Sequence, residues 1–385
     1  MSAVPQSVPS ANTPRPVYVP PAPRFHTLLV AGVERLTLEA IAVRFAVPRE
    51  LREDYRFIQG QFVTLKGHFG NGEAKEELRR SYSICCAVAD YLRNGELKVG
   101  IKAIPGGRFS TWANAQLKPG DAVEVMTPDG RFHCALHEGH AKHYLALAGG
   151  SGITPVLSLI STTLAAEPGS RYTLIYGNRD LASIMFAEQL EELKNRYLGR
   201  LALYHVISDE PQEVALFNGL LNQEKCAQFL ETLVPAHTID EAFICGPGPM
   251  MNAAEAALIA AGVAREKIHI ERFGTPLPQA GAKPAPVNAG APAAQVDVIS
   301  GGKTRRIAVP YAGAGLLDTA LSAGLDLPYA CKAGVCCTCR ARVLEGEVKM
   351  DRNYTLEARE IALGYVLTCQ SHPVTERVVV SYDER

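Results

Sequence analysis

Short runs in which apolar and polar residues alternate, broken by Gly and Pro, fill the first third of the chain. Near His140 they give way to longer apolar runs alternating with helical stretches. Period-two alternation marks strands buried on one face, whereas near-continuous apolar strands between helices mark a parallel sheet covered on both faces. The pattern predicts strands at 36–47, 61–65, 83–87, 97–104 and 122–126 in an antiparallel β-barrel. Strands at 144–148, 172–176, 201–207 and 241–245 with helices such as 186–197 predict an α/β parallel-sheet domain. Residues 275–294 are almost only Pro, Ala, Gly and a few polar residues, which cannot bury enough apolar area to fold and so read as a linker. After it, strands at 296–299 and 306–309 around Gly301 and Gly302, a helix at 316–323 stopping near Gly324, and strands at 340–344 and 377–381 predict a small α+β module. The expected multidomain organisation is a tail (1–23), a barrel (24–138), an α/β domain (139–275), a linker (276–294) and the module (295–385).

A length of 385 residues exceeds one ordinary core and agrees with three domains. The net charge of −1, without a Lys/Arg block, gives no electrostatic case for nucleic acid or an anionic membrane as partner. No stretch has the roughly 18 consecutive apolar residues of a spanning helix. The first 23 residues lack the basic start and apolar core of a signal peptide, and read as a mobile tail. Ten cysteines scattered over a chain this long point to a reducing compartment, the cytoplasm.

Four of those cysteines change the picture. Cys331, Cys336 and Cys339 stand in CxxxxCxxC spacing with Cys369 further on, the plant-type frame for a 2Fe-2S cluster. Zinc is the alternative, but zinc frames pair their cysteines as CxxC on both sides. Ala333 and Gly334 lack bulk, so backbone N–H groups there can turn toward the cluster's sulfur, while Cys337 reads as a packing residue. In the α/β domain, Gly149-Gly150-Ser151-Gly152-Ile153-Thr154-Pro155 is a glycine turn feeding a helix, suited to a diphosphate, with Thr154 read as N-cap and Pro155 as first helical residue. Pro155 stands where a GxGxxG fingerprint has its third glycine, so a plain strand-to-helix turn is the competing reading. Cys245-Gly246-Pro247 opens a second turn expected at the same carboxyl edge, where open α/β sheets bind ligands. In the barrel, Arg80-Ser81-Tyr82-Ser83 and the stretch 106–112, with Gly107 and Ser110, offer phosphate-binding groups and an aromatic cover.

In this order the motifs resemble the ferredoxin–NADP reductase superfamily with a C-terminal β-grasp ferredoxin domain. The fused arrangement is most similar to the reductases of phenylacetyl-CoA epoxygenases, relatives of those serving bacterial aromatic-ring oxygenases. The resemblance implies FAD, with Arg80 on its diphosphate, Tyr82 against the isoalloxazine, Ser83 near N5, and Gly107 and Ser110 on phosphate. It implies that Thr154 approaches the flavin, that Gly150, Ser151, Gly152 and Pro155 hold the nucleotide diphosphate, and that Cys245, with Gly246 and Pro247, lies beside the nicotinamide. Phe273 would close the flavin's other side. Tyr82, Ser83 and Cys245 are the candidate catalytic residues. Where NADP-preferring members often show Ser then Arg, Ser208 is followed by Asp209, and Arg179 is the cation available to a 2′-phosphate. NADPH is the expected donor, NADH the alternative.

A nicotinamide gives electrons in pairs and an iron–sulfur cluster takes them singly, so a flavin between them completes a relay. The expected activity is an NAD(P)H-dependent reductase feeding a separate diiron oxygenase acting on phenylacetyl-CoA. Reductases of vanillate or phthalate type are the near alternatives, and a non-enzymatic iron–sulfur carrier is the alternative of a different class. The linker predicts a module that swings between flavin and partner.

Overall fold

The computed structural model describes residues 23–70, 76–273 and 292–384. All of the expected tail except Pro23, residues 276–291 of the expected linker, and residues 71–75, 274–275 and 385 of the expected domains lie outside the described residues.

The first domain is a six-stranded antiparallel sheet in the order β4-β3-β6-β1-β2-β5. Its strands are β1 (Phe25–Thr37), β2 (Ala40–Ala46), β3 (Phe62–Phe69), β4 (Glu76–Ser83), β5 (Glu96–Lys102) and β6 (Ala122–Met126), with helices α1 (Val88–Asn94) and α2 (Arg108–Gln116). A bridge from Ile84 to Val99 joins the two edges and closes the barrel. Its core collects Leu28, Ile41, Val43, Phe45, Val63, Val99, Phe109 and Val125. Two expectations need correction. Residues 36–47 form a hairpin rather than one strand: the apolar run continues through its turn, where Leu38 is 97 % exposed. The strand expected at 83–87 lies upstream as β4, whose sequence EELRRSYS is polar and shows no apolar alternation.

The second domain is the parallel sheet β11-β10-β7-β8-β9. It contains β7 (His143–Gly149), α3 (Ile153–Ala166), β8 (Arg171–Asn178), α4 (Ala187–Arg196), β9 (Leu201–Ile207), α5 (Gln223–Thr232), β10 (Glu241–Cys245), α6 (Gly248–Ala260) and β11 (Ile268–Glu271). Pleating sends Tyr144, Ala146 and Ala148 into one core and Leu145 and Leu147 into another, which is why this strand reads as unbroken apolar sequence. The first core continues into the barrel through Ala40, Ala42 and Cys85. Ser158 Oγ donates to the Cys86 carbonyl at 2.8 Å, and Thr162 Oγ1 accepts from Val88 N at 3.1 Å, so the two domains are tied together.

The third domain has the sheet β13-β12-β18-β14-β16 and the pair β15-β17. Its elements are β12 (Ala293–Ser300), β13 (Lys303–Pro310), α7 (Leu316–Ser322), β14 (Arg340–Glu345), β15 (Val348–Met350), α8 (Ala358–Ala362), β16 (Tyr365–Leu367), β17 (Ser371–Pro373) and β18 (Arg377–Ser381). β12 starts at Ala293, inside the segment read as linker, because Ala294 packs into this domain's core. The β12–β13 turn uses Gly301 and Gly302, both at positive φ, and Asp383 accepts from both their N–H groups at 2.7 and 2.8 Å. Among the described residues no helix is long and apolar enough to cross a membrane.

Candidate functional site

The parallel register sets Ala148, Cys245 and Glu271 side by side at the carboxyl edge of the second sheet. The glycine turn leaves β7 as a short 3-10 turn, Gly150–Gly152, and α3 begins at Ile153. Gly152, rather than Thr154, is the N-cap, and Pro155 is the third helical residue instead of the first. Thr154 lies inside the first turn, its hydroxyl donating to the Ser151 carbonyl at 3.0 Å. The two glycine turns pack backbone against backbone. A Cβ on Gly152 would strike the Cys245 carbonyl, and one on Gly246 would stand 3.0 Å from Gly149 N. Gly150 adopts φ 51°. Pro247 ends the second turn and caps α6.

The barrel approaches this edge through β5, where the missing side chain of Gly100 lets the Thr154 methyl come close. On β4 the pleat puts Arg80 and Tyr82 on one face. The Tyr82 ring lies 5.9 Å from that of Phe109, and burial raises its phenol pKa. Arg80 is exposed, donating to the Arg79 carbonyl at 2.7 Å. Gly107 caps α2, and Ser110 Oγ donates to the Gly107 carbonyl at 3.2 Å and accepts from Ile104 N at 3.3 Å. Ser110 therefore shapes the loop around Gly107.

The domains meet chemically at Ser83, whose hydroxyl donates to Glu271 Oε2 at 3.1 Å. Sequence reasoning gave Glu271 no role. The available signal was its place two residues before Phe273 at the end of the last parallel strand. Burial raises Cys245, and Glu271 adds to that shift. Burial also raises the Glu271 carboxyl from an ordinary 4.5 to about 8, opposed by the Ser83 hydrogen bond. Between those values the unfolded chain has lost a proton that the folded chain keeps, so stability falls as pH rises through this window. Glu271→Gln is expected to flatten that fall. Thermal midpoints of both proteins at about pH 5 and about pH 8 check it, and equal slopes would discard the assignment.

Phe273 is 45 % exposed and adjoins the segment outside the described residues. Arg179 and Ser208 lie beyond adjacent strands, joined where Asp209 N donates to the Arg179 carbonyl at 2.8 Å. Arg179 forms an ion pair with Glu39 of the barrel at 3.0 Å, and Lys102 lies 3.7 Å from the same carboxylate. Ser208 Oγ donates to Asp209 Oδ1 at 2.6 Å.

In the third domain Lys332, Gly334 and Cys337 all take positive φ, bending the loop around its thiols. Among the described residues no three metal-binding side chains converge on one point. The four thiols form two pairs instead, Cys331 with Cys336 and Cys339 with Cys369, each within hydrogen-bonding reach. Ala333 N donates to Cys331 Sγ at 3.3 Å, and Gln370 Nε2 to Cys369 Sγ at 3.6 Å. Two thiol pairs with inward N–H donors fit a two-iron cluster, whose irons each take two thiolates. Cys337 turns away to meet Thr355 Oγ1 at 3.0 Å.

Comparison with known families agrees domain by domain. Residues 28–134 match the oxidoreductase FAD-binding domain, 146–256 the oxidoreductase NAD-binding domain, and 298–374 the 2Fe-2S iron-sulfur cluster binding domain. The chain is 46 % identical over 361 residues to one of the subunits of 1,2-phenylacetyl-CoA epoxidase from Escherichia coli (strain K12), covering 94 % of this chain and 98 % of that one. It is 32 % identical over 370 residues to the ferredoxin reductase component of 3-ketosteroid-9-alpha-monooxygenase from Rhodococcus rhodochrous, covering 95 % and 99 %. The solved structure of phthalate dioxygenase reductase shares the fold, with a TM-score of 0.54 at 23 % identity over 93 % of this chain and 98 % of that one. With all three domains matched and full-length relatives so similar, the chain belongs to the family of oxidoreductases that join FAD-binding, NAD-binding and 2Fe-2S domains and serve as reductase components of oxygenases.

Proposed function

We propose that the protein passes electrons from NADPH through FAD and a 2Fe-2S cluster to a diiron oxygenase acting on phenylacetyl-CoA, in a reducing cytoplasm. All ten cysteines being free agrees with that compartment. The flavin, when bound, takes a hydride from the nicotinamide and releases electrons singly to the cluster. The protein's residues position these groups. Gly150, Ser151, Gly152 and the start of α3 present backbone N–H groups to the nucleotide diphosphate. Tyr82 and Arg80 bind the flavin, Cys245 and Thr154 border the place where nicotinamide and flavin meet, and the Ser83 hydroxyl donates to Glu271 at that boundary. The 46 % identity to a phenylacetyl-CoA epoxidase component supports the choice of partner.

The observation that carries the reading is continuity. Phe62 lies opposite Ser83 in the β3–β4 register and packs against Ala330, Cys331 and Cys336 of the cluster loop. Ser83, which meets Glu271 at the nucleotide edge, is thus one strand away from the residue that touches the cysteine loop. Anaerobic addition of NADPH is expected to bleach the flavin and then the cluster absorption. Bleaching of the flavin alone would end the relay. Partner identity is tested by copurifying the oxygenase and asking which aromatic substrate couples to nucleotide consumption. Coupling to a vanillate- or phthalate-type substrate would replace phenylacetyl-CoA.

Arg179 supports the NADPH preference, since a guanidinium that leaves the exposed Glu39 pair for a phosphate dianion gains a bidentate contact. Arg179→Gln is expected to raise KM for NADPH about tenfold and to leave KM for NADH within about twofold. Equal changes for both nucleotides would remove Arg179 from selectivity.

A further inference from the structure

Among the described residues the third domain touches the barrel through contacts at three places. The first is the apolar one at Phe62, which is 6 % exposed and held by backbone pairing with Asp129. The second centres on Arg79, 8 % exposed, whose guanidinium lies between the rings of Phe25 (4.9 Å) in the barrel and Tyr329 (4.0 Å) in the third domain. Glu77 completes it, accepting from Arg79 Nε at 2.7 Å and from the Tyr329 hydroxyl at 3.3 Å. In the third contact, Glu360 of α8 is 7 % exposed and takes Arg131 of the barrel domain with one oxygen and Arg340 of its own domain with the other, at 2.7 Å. Burial opposes the charge of Glu360, yet its two arginines and the Glu357 N–H hold its pKa below the ordinary value.

Cations stacked on rings and a carboxylate shared by two guanidiniums are directional contacts, and screening by salt reaches the third of them through Arg131, whose side chain is 38 % exposed. Their siting is also specific. Tyr329 is two residues before Cys331, and Arg131 is two residues after Asp129, the backbone partner of Phe62. Each charged contact therefore borders the place where the cysteine loop meets the barrel.

We propose that Arg79 and Arg131 form a clamp, positioning the third domain through Tyr329 and Glu360 so that the Cys331–Cys336 edge lies on Phe62 in an electron-loading position. Release of the clamp frees that edge for the oxygenase component. The partner competes for a face already occupied within the chain, and ionic strength shifts the balance between the two.

The test uses full-length protein carrying both cofactors. Arg131→Gln, Glu360→Gln and the double variant are compared with the parent by small-angle scattering and by stopped-flow mixing with NADPH, following flavin and cluster at separate wavelengths. Each single variant is expected to enlarge the radius of gyration and slow cluster reduction about tenfold, with flavin reduction within about twofold. The double variant is expected to be no worse than either single one, because both remove the same pair. Raising salt from about 50 mM to about 500 mM on the parent should reproduce the expansion without any substitution. Unchanged scattering and rates, slower cluster reduction without expansion, or expansion without slower cluster reduction would each overturn the clamp. This inference rests on the relay for its rate measurement only. A parent whose cluster never reduces would end the relay, while scattering would still decide whether the contacts hold the domains together.

Discussion

Replacing Cys339 by Ala is expected to give a yellow protein whose flavin is still bleached by nucleotide but which contains almost no iron and delivers no electrons to an oxygenase. Cys339 is 2 % exposed and pairs with Cys369, so its loss leaves one half of the thiol quartet with a single donor. No neighbour replaces it. Cys337, the nearest spare thiol in sequence, points to Thr355 and would need its left-handed backbone rebuilt to turn inward. Even groups that only hydrogen-bond to a metal's ligands are worth about 10–100-fold in affinity, so removing a ligand itself should cost more. Iron analysis, visible absorption and substrate-coupled nucleotide consumption measure the three consequences. The control is Cys337→Ala, which loses a packing contact yet should keep its iron. Equal iron loss in the two variants would show that the loop's fold, and not the ligand set, had been tested.

Gly152→Val is expected to have the second largest effect, on the nucleotide domain. The new Cβ would meet the carbonyl oxygen of Cys245, a backbone atom at the end of a central strand that cannot rotate aside. Either α3 or the Cys245–Pro247 turn must move. Such overpacking costs about 1–3 kcal/mol in stability. A displacement near 1 Å at the site costs up to about 100-fold in the rate of hydride transfer. Gly248 provides the comparison, because a Cβ there meets nothing within 4 Å and its φ is not positive. Gly248→Ala should change the thermal midpoint and the flavin reduction rate little. If Gly152→Val behaved like it, the backbone-on-backbone packing of the two turns would not be what organises the nucleotide edge.

Legibility in the sequence followed the physics of each element. The cysteine spacing was readable because it is a property of the sequence alone, and residues 298–374 match a 2Fe-2S iron-sulfur cluster binding domain. Four of the five strands of the parallel sheet were readable because their runs are largely apolar, the central ones being buried on both faces: β9 and β10 have the expected bounds, and β7 and β8 extend theirs by one or two residues at each end. The polar β4 was missed although it carries Arg80, Tyr82 and Ser83, since its sequence EELRRSYS shows no apolar alternation. The short β11 was missed as well, and Glu271 with it.

The chain's own order of residues determined three domains, their cofactor classes and the spacing of the four thiols, because each depends on local composition or on the sequence alone. Tertiary structure alone decided that Gly152 caps α3, that Ser83 meets Glu271 across 188 residues of chain, and that Arg131 meets Glu360 across 229. Contacts so distant leave no periodic trace in either segment. They arise only when the barrel, sheet and module have folded and presented complementary surfaces to one another.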